Sequence, residues 1–304
     1  MNIDKTIKNR KTELLSYFRD RASEALTVIK VKFADTQSDK RARAINESLN
    51  QTKSVLITTL LQQAEKERWT NKEKLECILM ITYCNIVVMI ENRNLVRPYE
   101  YMDFSRRVGE LWDPFCKLCF YYPSNNISLF IPPLFSEVKR QLTDEITNYI
   151  NTLTITEAEK RELIKYYDKV WGLVTSGEVQ LELDLHFAHK KQKYVVDFKS
   201  GFGSNEKGNT NRLLLVASIY QNLAEKYKCL LFVRAEENNS YFNTLKNSGI
   251  WEAYCGVEAY QKIQEYSGYN LKHWIETNIN WEGDFNTDTV AHFTEHNLLQ
   301  YLQW

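Results

Sequence analysis

Glycine is scarce in this chain, with ten in 304 residues and none before Gly109, and all five prolines lie between positions 98 and 133. With neither helix breaker present, residues 4 to about 98 are free to be helical almost throughout. Long apolar runs are also missing. The longest, "CILMITYCNIVVMI" (77–90), is too short to span a bilayer and contains Asn85, so it reads as a buried helix. The N-terminus "MNIDKTIKNRKTELL" has no apolar signal region, which argues against export, and no membrane association is expected. Net charge is absent, at thirty-nine basic against thirty-nine acidic residues. The six cysteines offer one CxxC, Cys116 and Cys119, with no second pair to complete a metal site; inside a helical pattern they read as core thiols of a cytoplasmic protein. "GSNEKGNT" lacks the GKS/GKT ending of a phosphate-binding loop, and no GxSxG nucleophile elbow occurs.

What is present begins with helical periodicity: Leu14, Leu15, Phe18, Leu26, Ile29, Val55, Leu56, Leu60 and Leu61 recur at three- and four-residue spacings. Thr70, three residues before Glu73, marks a helix start. "YYPSNNISLFIPPLF" (121–135) breaks the helical pattern, which resumes over 136–152 and 155–172. Strict alternation then appears in two runs around a short basic loop, "SGEVQLELDLHFAHKKQKYVVDFKSG", the signal of a β-hairpin. In the first run Val179, Leu181, Leu183, Leu185 and Phe187 are expected on one face, with Gln180, Glu182, Asp184 and His186 on the other. A helix over 212–227, a strand over 229–234, a short helix near 240–248, a strand "WEAYC" and a helix over 257–267 complete the pattern. Strands interleaved with helices predict an α/β core behind an all-helical region, with residues 1–98 separate from 99–304 and a helical insertion at about 121–176.

Charge is distributed unevenly. Residues 186–234 hold nine Lys/Arg against three Asp/Glu, whereas 236–304 hold three against ten. Residues 1–70 carry fourteen against nine. A local basic segment suits phosphate contact, and a solvated face gives the same count.

The chemistry concentrates in the hairpin. Asp197 and Lys199 share one face of the second strand, and Asp184 on the first becomes a cross-strand neighbour of Asp197 if the turn closes near 188–193. Two carboxylates so close repel each other unless a cation intervenes, and Mg²⁺, which keeps several waters, suits a sparse oxygen site. A lysine beside them is placed to orient water or to stabilise charge on a phosphoryl oxygen. The bland alternative is an exposed sheet face with an ordinary Asp/Lys pair.

The arrangement "D184 … D197-F-K199" resembles the PD-(D/E)XK nuclease superfamily, which includes most type II restriction endonucleases. The resemblance covers about residues 100–255 and implies an α+β core with a mixed central sheet flanked by helices. It further implies Mg²⁺-dependent hydrolysis of phosphodiester bonds in double-stranded DNA. Asp184 and Asp197 would bind the metal, with the backbone carbonyl of Phe198 as a further ligand and Lys199 as the catalytic lysine. The first core helix of the family often supplies a glutamate, and "DFSRRVGELWDPFCKLCF" (103–120) makes Glu110 that candidate, with Glu182 as its substitute. Leu183 stands where many members carry proline. A homodimer, a bacterial cytoplasmic setting and a companion DNA methyltransferase are also implied. The alternatives are a repair, recombination or phage-defence nuclease acting on ends or junctions, and a non-catalytic DNA-binding protein of the same fold.

The loop 200–212 is expected either to offer Lys207 and Arg212 to phosphates and Asn205, Asn209 and Asn211 to base edges, or to be an ordinary Asn/Gly turn region. His186 is expected near the metal without ligating it.

Overall fold

The computed structural model describes residues 3–174, 181–203, 206–223 and 225–304. Helices α1 (Lys11–Lys32), α2 (Ser38–Lys66), α3 (Asn71–Val96) and α4 (Tyr101–Tyr121) follow one another. Thr70 starts α3 as expected: its Oγ1 accepts the Glu73 N–H at 3.2 Å, and Glu73 Oε2 accepts the Thr70 N–H at 2.7 Å. From Cys77 to Asn94 every residue of α3 is buried, because α1, α2 and α4 surround it. By length and composition this helix could cross a membrane, but 83% of its most apolar 18-residue window is covered by the rest of the protein.

The remaining elements are β1 (Ile127–Leu129), α5 (Phe135–Thr152), α6 (Glu157–Val174), β2 (Leu185–His189), β3 (Gln192–Lys199), α7 (Lys207–Gln221), β4 (Tyr227–Val233), α8 (Ser240–Lys246), β5 (Trp251–Cys255) and α9 (Gly256–Ser267). Then come α10 (Leu271–Asn278), α11 (Trp281–Asp284) and α12 (Thr287–Glu295). The protein is α+β. Its sheet runs in order β1-β2-β3-β4-β5, with the first two pairings antiparallel and the last two parallel. Alternation along β3 divides the core: Tyr194, Val196 and Phe198 join the apolar cluster of the N-terminal helices, while Val195 joins Leu213, Val216 and Ala217 of α7.

The hairpin turn falls at Lys190 and Lys191, both with positive φ (49° and 67°), inside the expected interval. Two left-handed residues form a type I′ turn, whose twist matches the flanking strands.

Three expectations are corrected. The first alternating run is not one strand, since β2 begins only at Leu185. Leu181 and Leu183 pack on the α7 side, and Leu185 and Phe187 on the other. The chain bends at Asp184, whose side chain takes the Phe198 N–H that an extended strand would have met with the Leu183 carbonyl. Segment 121–176 is not merely a helical insertion into the core, because its non-helical stretch supplies the edge strand β1 through pairs such as Ile127↔His189. Helix α7 starts at Lys207, not 212: the Glu206 carbonyl accepts both the Thr210 N–H (2.8 Å) and its Oγ1 (2.9 Å), closing a first turn that Gly208 alone does not prevent.

The acidic C-terminal segment folds back on the basic N-terminal helices. Asp284 Oδ2 accepts from Lys11 Nζ (2.8 Å) and Tyr83 Oη (2.7 Å). Buried Glu91 accepts from Arg19 Nε (3.0 Å) and Nη2 (2.6 Å) and from the Asn286 N–H (2.6 Å). Cys116 and Cys119 are buried free thiols of α4, both pushed up by burial.

Candidate active site

Parallel pairing of β3 with β4 directs their carboxyl ends to one edge of the sheet, the usual position for ligands in such sheets. Asp197 and Lys199 end β3 there on the same face, and the register Leu185↔Val196 places Asp184 one step on, opposite Asp197. The hairpin brings the two acids together as the sequence predicts.

Asp197 is the most buried of these groups, its side chain 3% exposed. Lys199 Nζ lies 2.8 Å from Oδ2 as its charge partner, and no other donor reaches this oxygen. Arg212 Nη2, from α7, lies 3.5 Å from Oδ1. Burial raises the Asp197 carboxyl above the ordinary range and Asp184 adds to the rise, against the opposing pull of Lys199 and Arg212.

Asp184 Oδ2 accepts the Phe198 N–H at 2.8 Å, and Lys117 Nζ stands 3.6 Å from Oδ1. The Lys199 carbonyl accepts from Arg234 on the β4 side (2.9 Å). By strand alternation the Phe198 carbonyl turns the other way, toward Asp184. Two carboxylates and this carbonyl, with water completing the shell, form a donor set that fits Mg²⁺, and a buried carboxylate that Asp184 drives further from ionisation is the kind of group a cation satisfies. Among the described residues no three His, Cys, Asp or Glu side chains cluster as a ready-made metal cage.

Helix α4 supplies the third acid, at Asp113. Lys117 Nζ lies 2.9 Å from its Oδ1 and donates to Oδ2 at 3.0 Å. Burial pushes the Asp113 carboxyl up to about 6, with further contributions from Asp184 and Asp197. Asp113 and Lys117 escaped the sequence reading, although Asp103, Arg106, Glu110, Asp113 and Lys117 recur at spacings of three and four, a single polar stripe on the helix. Glu110 lies on that stripe, but its carboxylate meets Arg107 (3.3 Å) and Arg106 (3.7 Å). Gly109 lets α4 approach: a Cβ there would stand 2.5 Å from the Ser200 Cβ, next to Lys199.

Of the other expected residues, His186 is buried, and its Nε2 accepts the Leu183 N–H at 3.3 Å, supporting the bend. Burial lowers it to about 4, so it is neutral. Glu182 is exposed. Lys207 and Asn211 are exposed on the first turns of α7, and Asn209 Nδ2 donates to Glu206 Oε2 at 2.9 Å. Asn205 lies outside the described residues. Directly after β3 the Phe202 N–H donates to Asn238 Oδ1 (2.9 Å), and Asn239 donates to the Gly203 carbonyl.

Comparison of the chain with models of protein families, with curated proteins and with solved structures gives no match.

Proposed function

We propose that this chain is a Mg²⁺-dependent nuclease of PD-(D/E)XK type that hydrolyses phosphodiester bonds in double-stranded DNA. The observation that carries the reading is the convergence of Asp184, Asp197 and Lys199 at the carboxyl edge of the sheet, with Asp197 buried and Lys199 Nζ 2.8 Å from its Oδ2. A surface ion pair contributes little to stability and gives no reason to bury a carboxylate in this way.

In this reading Asp184, Asp197 and the Phe198 carbonyl hold the metal. Mg²⁺ would acidify the attacking water and neutralise charge on the phosphoryl oxygens. Lys199 holds the water in line with the scissile bond and donates to the phosphoryl oxygen as its charge grows. Water adds to phosphorus, the bond to the 3′ oxygen breaks, and the products are a 5′-phosphate and a 3′-hydroxyl. Lys117 keeps Asp113 and Asp184 from repelling each other. Within this proposal a type II restriction enzyme, acting as a homodimer on a palindromic site with a companion methyltransferase, is the first choice, and a nuclease of ends or junctions the second.

The test incubates purified protein with long unmethylated duplex DNA and Mg²⁺, beside EDTA, Asp197→Asn and Lys199→Ala controls. Discrete fragments absent from all three controls are expected. Intact DNA under every condition, with DNA retained in a gel shift, would replace the catalytic reading by a binding one.

A further inference from the structure

A second charged cavity, of about 220 Å³, lies where α2, α3 and α4 meet. Arg43, Arg93, Arg97, Arg106 and Arg107 line it, against the acids Asp39, Asp103 and Glu110. The acids are already engaged: Arg97 pairs with Asp39, Arg93 and Arg97 lie 3.5 and 3.6 Å from Asp103, and Glu110 takes Arg106 and Arg107. Positive charge is left over. Arg93 is the telling residue, since its side chain is 9% exposed and its Nη1 is buried with no hydrogen-bond acceptor. The guanidinium stacks on the Tyr99 ring, 4.3 Å from its centre, which leaves Nη1 as a buried donor that an incoming acceptor can take. Lys53 of α2 adds to the excess, its ammonium lowered by burial and by the nearby Arg107.

The cavity is linked to the acids by the polar stripe of α4. Arg106 and Asp113 are seven residues apart, almost one above the other and about 10 Å along the axis. Phosphates of one DNA strand rise about 3.4 Å each along the duplex while winding around it, so neighbours lie about 7 Å apart and a separation of about 10 Å spans one to two steps. Planar guanidinium forks suit phosphate oxygens.

We propose that the arginine cavity is a second phosphate site, holding a phosphate of the same nucleic-acid strand one or two nucleotides from the bond at Asp184 and Asp197. Its placement rests on the nuclease reading. The site itself would explain how the N-terminal helices engage the substrate. An internal phosphodiester and a terminal 5′-phosphate offer the same oxygens.

The experiment measures binding without cleavage. Fluorescent duplex oligonucleotides, with and without a 5′-phosphate, are titrated in EDTA against the intact protein, Arg43→Gln/Arg106→Gln, and Lys190→Gln/Lys228→Gln, which removes equal charge at the opposite end of the sheet. Arg43 and Arg106 are exposed, and melting curves check that both variants fold. The arginine variant is expected to bind about 10-fold more weakly, with a salt dependence shallower by about one, while the lysine variant is unchanged. Equal losses on both oligonucleotides assign an internal phosphate, and a loss confined to the phosphorylated one assigns a terminal phosphate; each supports the site. Unchanged affinity and salt slope in the arginine variant, or an equal loss in the lysine variant, overturns it even if Asp197-dependent cleavage is intact. Conversely, arginine-dependent binding by a protein that never cleaves leaves the site standing and removes the nuclease reading.

Discussion

Replacing Gly109 by alanine tests how tightly α4 is seated on the candidate site. The added Cβ would lie 2.5 Å from Ser200 Cβ and 2.7 Å from its Oγ, where ordinary contacts are 3.4–4 Å, so the two elements must part by roughly 1 Å. Ser200 cannot easily retreat, because its carbonyl accepts the Ala235 N–H at 3.1 Å and Lys199 before it is held to Arg234. Overpacking of this kind costs about 1–3 kcal/mol. Alanine in a helix interior returns about 1 kcal/mol relative to glycine. The net loss of stability is therefore about 0–2 kcal/mol, a shift of a few degrees at most in Tm. On the proposed nuclease reading the effect on cleavage is larger: a catalytic group displaced by about 1 Å loses on the order of 100-fold in rate. Ser200→Gly removes both clashing atoms, so Gly109→Ala/Ser200→Gly is expected to recover most of the activity, with a coupling of about 1–3 kcal/mol between the sites. Calorimetry and single-turnover cleavage of all four proteins complete the cycle. Additive effects, or Gly109→Ala that is simply about 1 kcal/mol more stable and fully active, would refute the close seating of α4 on the site.

Asp113, ordinarily near 3.8 and pushed to about 6, holds its proton more tightly folded than unfolded, so its ionisation lowers stability as pH rises between those values. Asp113→Asn is expected to gain about 1–3 kcal/mol on the parent between pH 4 and 6 in urea denaturation, and a constant difference across that range would contradict the burial argument. Lys190 and Lys191 are both left-handed, a conformation that costs side-chain-bearing residues about 1–2 kcal/mol each, so an Asn-Gly turn at 190–191 should raise Tm. An unchanged or lower Tm would speak against the type I′ geometry. Glu91→Ala strips a buried acceptor from Arg19 and the Asn286 N–H and should cost about 3–5 kcal/mol, whereas Lys228→Ala, at an exposed pair with Glu252, should cost under about 1 kcal/mol. Equal costs in chemical denaturation would show that the C-terminal segment is not anchored through Glu91.

The hairpin was legible because alternation and the position of a turn fix register, and register alone makes Asp184 and Asp197 neighbours. The bend at Asp184 was not: Leu181 and Leu183 continue the apolar period of Leu185 and Phe187, and one side chain, satisfying a backbone donor from 14 residues away, turned them to the opposite face. Strand β1 is three residues long, too short to carry a period, and only its pairing with β2 reveals it. The start of α7 was hidden by Gly208 and its asparagine neighbours, whose local preference for turns is overridden by the closing of the first turn on Glu206. Asp113 was readable in principle, as the fourth member of the stripe that contains Glu110. What the stripe alone cannot give is the point at which α4 meets β3, and that is set by a missing side chain at Gly109.

The charges at this site alternate. Asp113, Asp184 and Asp197 are separated by Lys117, Lys199 and Arg212, each cation within 3.6 Å of an acid. Alternation cancels the charge but not the cost of burial, which is why Asp113 and Asp197 both sit above the ordinary carboxylate range despite their partners. Apolar residues of similar size would pack such a position at no greater cost, and the rest of β3 shows the fold using them, at Tyr194, Val195, Val196 and Phe198. The break in that pattern falls where the sheet ends, beside a bend and under a helix brought close by glycine. Departures from local rules that gather at one edge of a sheet, while the remainder of the hairpin obeys them, are the physical ground for proposing that this edge is a functional site.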